Sequence, residues 1–131
     1  HGLDIVRGRL KDRLFQPSSF DVITFGNSLE HLHSPRLTLA EAERVLDPRG
    51  LLVIKVPNID SWSGKFFNAR WFQLDVPRHL YHFNPKTLRE FLRRAGFRVI
   101  RETYDAGATY GIRESWRWKR LYEGKPDFKN R

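Results

Sequence analysis

Cysteine is absent from the 131 residues, and so is methionine. The first absence excludes a disulfide frame and a thiolate metal site, and a cytoplasmic setting is the default expectation. The second, with histidine at position 1, leads us to expect that the chain begins inside a longer reading frame. No apolar run approaches the length of a membrane span and no signal peptide is visible, so no membrane partner is expected. Acidic residues are scarce, 15 against 24 Lys and Arg, which leaves a formal charge of +9. That balance suits an acidic partner, but the basic residues are scattered, which fits solubility better than a binding face. They concentrate only from Gly111 onward, at Arg113, Arg117, Lys119, Arg120, Lys125, Lys129 and Arg131.

What is present is the grammar of one α/β domain. Leu3-Asp4-Ile5-Val6 alternates like a short strand. Phe20 to Phe25 is nearly continuous and β-branched, as a strand buried on both faces of a parallel sheet would be. Ser34-Pro35 opens a helix with Leu39, Ala42, Val45 and Leu46 inward and Glu41, Glu43 and Arg44 outward; Asp47-Pro48-Arg49-Gly50 stops it. Leu51 to Val56 is a second buried strand. Residues 59 to 77 scatter Trp62, Phe66, Phe67, Trp71 and Phe72 among small and polar residues, a pattern for a partly mobile flap. Asn84-Pro85 starts a helix with Leu88, Phe91, Leu92 and Ala95 on one face, and Gly96 ends it. Phe97 to Tyr104 alternates as a half-exposed strand, and residues 113 to 122 fit a helix. The βαβαβ order argues a parallel sheet with helices on its faces, whose ligands sit at the carboxyl ends of the strands.

In order and spacing, Phe20-Asp21-Val22-Ile23, Leu29-Glu30-His31-Leu32, Ser34-Pro35, Leu46-Asp47-Pro48-Arg49-Gly50-Leu51-Leu52 and Val56-Pro57-Asn58 resemble the class I S-adenosylmethionine-dependent methyltransferases. "PRHLYHFNPKTLREFLRRAGF" is similar to a subgroup with a Pro-Arg-His-Leu loop that acts on small-molecule or glycan-linked acceptors. The resemblance covers about residues 3 to 105 and implies a partial Rossmann-like fold. Residues 1–105 are then expected to be the C-terminal portion of a methyltransferase domain, and 106–131 a basic, aromatic tail. Two family features have no counterpart here: the glycine-rich turn after the first strand, and a last antiparallel strand. Where relatives carry an acidic or small residue near the adenine, this chain reads Arg7-Gly8-Arg9-Leu10. The chain alone is therefore expected to bind S-adenosylmethionine weakly or not at all and to be inactive. An unpaired sheet edge at 97–104 is expected to favour self-association.

The resemblance places Gly26, Asn27, Ser28 and Leu29, with His31, beside the methionine end of the cofactor pocket. It turns the loop around Arg78, His79, Tyr81 and His82 toward the acceptor. His79 is the first candidate for a general base and His82 the second, since imidazole titrates near neutral pH. Arg78 would hold an anionic acceptor, with Trp71 and Tyr81 as further acceptor contacts. Structural roles for these side chains weigh almost as heavily. No metal site is expected: His31 and His33 diverge on a helix, and His79, His82 and Asp75 precede a helix in irregular backbone. The alternatives are a non-catalytic interaction module, or a nucleic-acid binder that stacks bases on Trp116, Trp118 and Tyr122. A nucleic-acid partner is the less favoured expectation.

Overall fold

The computed structural model describes residues 2, 4–12, 14–104 and 109–121. Strand β1 (Phe20–Gly26) leads through a 3-10 turn (Leu29–His31) to helix α1 (Pro35–Val45), which passes directly into strand β2 (Leu46–Lys55). The two strands pair in parallel, and among the described residues they are the whole sheet. Phe20 pairs with Leu46 and Val22 with Leu51, so one residue of β1 faces four of β2. Those four are Asp47-Pro48-Arg49-Gly50, the stretch read as a stop. Asp47 Oδ1 accepts the Arg49 N–H at 2.8 Å, so turn chemistry survives inside the strand as an enlarged bulge.

One face of the sheet carries the core. Ile23, Phe25, Leu52 and Ile54 pack with Leu29, Leu39 and Ala42, and with Leu88, Phe91 and Leu92 of helix α3 (Pro85–Arg94). The other face leaves Val22, Leu51 and Val53 about half exposed. Burial on both faces, expected from the unbroken apolar run of β1, is therefore not what these residues show.

Both helix starts were legible, but they are built differently. Asn84 and Thr87 form a reciprocal capping box, with Asn84 Oδ1 accepting the Thr87 N–H at 2.8 Å and Thr87 Oγ1 accepting the Asn84 N–H at 3.0 Å. Ser34 sits at its N-cap without a side-chain cap bond. At the end of α3, Phe97 N–H reaches the Leu92 carbonyl and Gly96 N–H the Arg93 carbonyl, with Gly96 at φ +88°. This is a Schellman closure, whose left-handed residue glycine adopts without a steric penalty.

Three expectations are corrected. Residues 4–7 are irregular, and Leu3 lies outside the described residues. Residues 97–104 alternate in sequence but join no strand, because alternation creates a face and not a neighbour to bond with. Glu41 and Arg44 do not point to solvent: Glu41 is buried, and Arg44 donates to both of its oxygens and to the Phe15 carbonyl at 2.6 Å.

The aromatic stretch folds as helix α2 (Trp62–Phe67) and two 3-10 turns (Asn68–Arg70, Phe72–Leu74), packed against helix α4 (Thr109–Leu121). Ser61 caps α2 by accepting the Gly64 N–H at 3.0 Å. Phe66 and Phe67 meet the Trp116 ring, and Ser115 Oγ accepts the Phe72 N–H at 2.9 Å while donating to the Gly111 carbonyl at 2.6 Å. The segment thus packs against α4, with Trp62 and Phe66 still exposed. Tyr122, Lys125, Lys129 and Arg131 lie outside the described residues. No helix among those described is long and apolar enough to cross a membrane.

Candidate functional site

The site lies at the carboxyl end of β1. Asn27 has a left-handed backbone, φ +49°, and its N–H donates to the Lys55 carbonyl at 2.8 Å. The left-handed residue turns the chain out of the sheet. A Cβ added at Gly26 would meet no atom within 4 Å, so the strand ends facing open space. Ser28 then leads into the 3-10 turn, where Leu29 is wholly buried and anchors the turn in the core.

Glu30 in that turn organises the loop packed against it. Its main-chain carbonyl accepts both the Leu80 N–H at 2.8 Å and the Tyr81 N–H at 3.2 Å, which stitches the Arg78–Tyr81 loop to the end of β1. Its side chain is 1% exposed, and neither carboxylate oxygen accepts a hydrogen bond. Leaving a buried carboxylate without partners costs several kcal/mol, of order 1–3 or more.

Two histidines meet this carboxylate. His79 Nδ1 lies 2.8 Å from the Gln73 carbonyl, and His31 Nδ1 lies 2.9 Å from the Arg78 carbonyl. A carbonyl only accepts, so each Nδ1 carries a proton, and in the neutral form of either ring the lone pair is on Nε2. His79 Nε2 stands 4.0 Å from Glu30 Oε1 and 3.8 Å from Asp75 Oδ2. The His31 and His79 ring centroids are 4.6 Å apart. Glu30, His31 and His79 thereby bring three potential ligand atoms within 4.8 Å of one another, one carboxylate oxygen and two ring nitrogens. This is not the grouping of His79 with His82 and Asp75 weighed from the sequence.

His82 spends its Nε2 on the Leu74 carbonyl at 2.7 Å and so helps hold the loop. Arg78 is paired through Nε and Nη2 with Asp75 Oδ1, at 3.0 and 2.7 Å, and its side chain is otherwise exposed. Tyr81 is exposed and stacks on Phe83. Trp71, expected to touch an acceptor, is 4% exposed and so supports the segment from within.

Three contributors escaped sequence reasoning. Gln73 and Leu74 act through their carbonyls, which any residue supplies. Ser115 acts from α4, 43 positions beyond the main chain it holds. By fixing segment 72–74, α4 orients both loop histidines, so the tail is part of the site's support. The pairing of Glu30 with His31 was visible in the sequence, but the burial of one and exposure of the other was not.

A parallel βαβ unit with a polar cluster at the carboxyl end of its first strand is the ligand-binding arrangement of Rossmann-like α/β proteins. This chain belongs to the methyltransferase-domain family, whose model matches residues 4–102, and within it to the class I fold. It is similar to an uncharacterized protein of Methanocaldococcus jannaschii, 26% identical over 102 residues, which are 78% of this chain and 50% of the relative. The chain thus spans half the length of that relative. Among solved structures it resembles a SAM-dependent methyltransferase of Thermotoga maritima, described as a possible histamine N-methyltransferase. That match has a TM-score of 0.65 at 21% identity, over 75% of this chain and 47% of the other. At this identity the likeness is one of fold.

Proposed function

We propose that the protein serves methyl transfer from S-adenosylmethionine to a small-molecule or glycan-like acceptor. The observation that carries this reading is the pair of bonds from Leu80 and Tyr81 to the Glu30 carbonyl. They hold the Arg78–His82 loop beside the turn that begins at Gly26. The open end of β1 fits one end of the cofactor, with Gly26, Asn27, Ser28 and Leu29 offering main-chain contacts and His31 a side chain. When bound, the cofactor supplies an activated methyl group on a sulfonium sulfur. The chain's own residues would orient an acceptor and receive its proton, for which alignment counts more than covalent help. His79 Nε2, with Glu30 and Asp75 beside it, would take that proton. His82 is the weaker candidate, its Nε2 being engaged. Tyr81, and Arg78 once it leaves Asp75, would receive an anionic acceptor.

No glycine-rich turn is present in residues 1–131, so the chain alone should hold the cofactor weakly. The test is a titration of the isotope-labelled chain with S-adenosylhomocysteine to millimolar concentration, followed by amide chemical shifts. Shifts confined to Gly26, Asn27, Ser28, Leu29 and His31 are expected, without saturation in the micromolar range. Shifts confined to α4, away from the end of β1, would overturn the proposal. For the nucleic-acid alternative, Trp116 packs against Phe66 and Phe67 and has Lys119 Nζ 4.9 Å from its ring centroid, while it and Trp118 remain partly exposed.

A further inference from the structure

We infer that Glu30, His31 and His79 form a binding site for a divalent transition-metal cation, with two imidazoles and one carboxylate as ligands. The inference does not depend on the proposed reaction, since ion binding is read without turnover. Three observations carry it. First, the cluster leaves a buried carboxylate unsatisfied between two imidazoles: Glu30 has neither oxygen hydrogen-bonded, and each ring gives its Nδ1 to a main-chain carbonyl. A separation of 4.0 Å between His79 Nε2 and Glu30 Oε1 is too long for a hydrogen bond, so a proton on His79 leaves the carboxylate unsatisfied as the groups stand. A cation in the middle satisfies all three at once.

Second, the outer partners are those that ligand histidines use. A metal-bound imidazole usually donates its other N–H to a main-chain carbonyl or a carboxylate, which fixes the ring and its tautomer. His31 does so to Arg78 and His79 to Gln73. The second carbonyl is itself in a segment clamped by Ser115 of α4.

Third, the geometry is within reach of a metal. Ligands about 2.0–2.2 Å from an ion stand roughly 3–3.5 Å from each other. The three atoms here lie within 4.8 Å, so binding needs a modest contraction. His31 is exposed while Glu30 and the His79 side chain are buried, so the contraction can come from the exposed ring. Two imidazole nitrogens favour Zn²⁺, Fe²⁺ or Co²⁺ over Mg²⁺, which prefers all-oxygen shells. Three protein ligands leave coordination positions open toward His31, where water or an acceptor oxygen would complete the shell. With an ion bound, His79 Nε2 would be a ligand and not a base.

The test uses the whole chain, stripped with chelator and titrated calorimetrically with Zn²⁺, and in parallel with Co²⁺ followed by visible absorption. One equivalent of Zn²⁺ is expected to bind, with Mg²⁺ failing to compete and Co²⁺ developing the absorption of a nitrogen-and-oxygen site. His31→Ala and Glu30→Gln should each weaken Zn²⁺ by more than the roughly 10–100-fold that loss of a supporting residue costs. His33→Ala, two residues from His31 and outside the cluster, should bind as the parent does. Circular dichroism of each variant keeps misfolding apart from ligand loss, and the exposed His31 decides the matter even if Glu30→Gln unfolds. No saturable Zn²⁺ binding, or affinity unchanged by His31→Ala, overturns the inference.

Discussion

Two glycines show how one residue type can answer to opposite demands. A Cβ on Gly64 would stand 2.5 Å from the Ile59 carbonyl oxygen, a main-chain atom that cannot step aside. Alanine normally gains about 1 kcal/mol over glycine inside a helix. Overpacking of rigid neighbours costs about 1–3 kcal/mol, so the overlap outweighs the propensity. Gly64→Ala is expected to lower the urea midpoint, against the direction helix propensity alone would give. Gly26→Ala meets open space and should change stability by less than about 0.5 kcal/mol. If Gly26 lines the cofactor pocket, the same variant should lose the S-adenosylhomocysteine-dependent shifts. A large stability loss in Gly26→Ala would show that the position is structural, not a ligand contact.

Helix boundaries make the same point at the level of the element. Ser34-Pro35 and Asn84-Pro85 look alike in sequence, yet only Asn84 makes a side-chain cap. Asn84→Ala should cost about 1 kcal/mol, and Ser34→Ala no more than about 0.5, both read from denaturant unfolding. Helix α3 also carries an acid-sensitive contact on its surface. Hydrogen bonds from Arg93, then Arg94, lower the Glu90 carboxyl from an ordinary 4.5 to about 2. A lowered folded value means the contribution is fully present above pH 4.5 and is lost as pH falls toward 2. The pair is exposed, so the effect is small and screened by salt. Glu90→Gln should flatten the stability profile only in that acid window.

How much of these elements was legible in the sequence depends on where the information lies. The apolar spacing of Leu39, Ala42 and Val45, and of Leu88, Phe91 and Leu92, is local and repeats every turn, so α1 and α3 were visible. The turn after β1 and the Glu30-His31 pair were also legible, as candidate site residues. The Phe97–Tyr104 alternation was equally clear, but a strand requires a partner that no local pattern supplies. The grouping of Glu30 with His79 depends on the Leu80 and Tyr81 N–H groups returning to the Glu30 carbonyl, a contact between main-chain atoms 50 residues apart. Main-chain atoms leave no residue-type signature, which is why the juxtaposition of Glu30 and His79 was not legible in the sequence.

For the molecule as a whole, the unbalanced feature is the sheet. Its inner face is packed, while Val22, Leu51 and Val53 stay half exposed on the other, and each strand keeps an edge without a strand neighbour among the described residues. An apolar face next to unpaired strand edges is a template for a second copy of the chain. Opposing this is a formal charge of +9, whose mutual repulsion is strongest at low salt. At about 0.01 M ionic strength the screening length is about 30 Å, and near 0.15 M it shortens to about 8 Å. Self-association should therefore strengthen as salt rises, the opposite of an interface held by ion pairs. Sedimentation equilibrium at the two ionic strengths checks this, and Val53→Lys, which places a charge on the open face, should shift the equilibrium toward monomer at both. A monomer mass at high concentration and high salt would mean that neither the apolar face nor the open edges recruit a second copy.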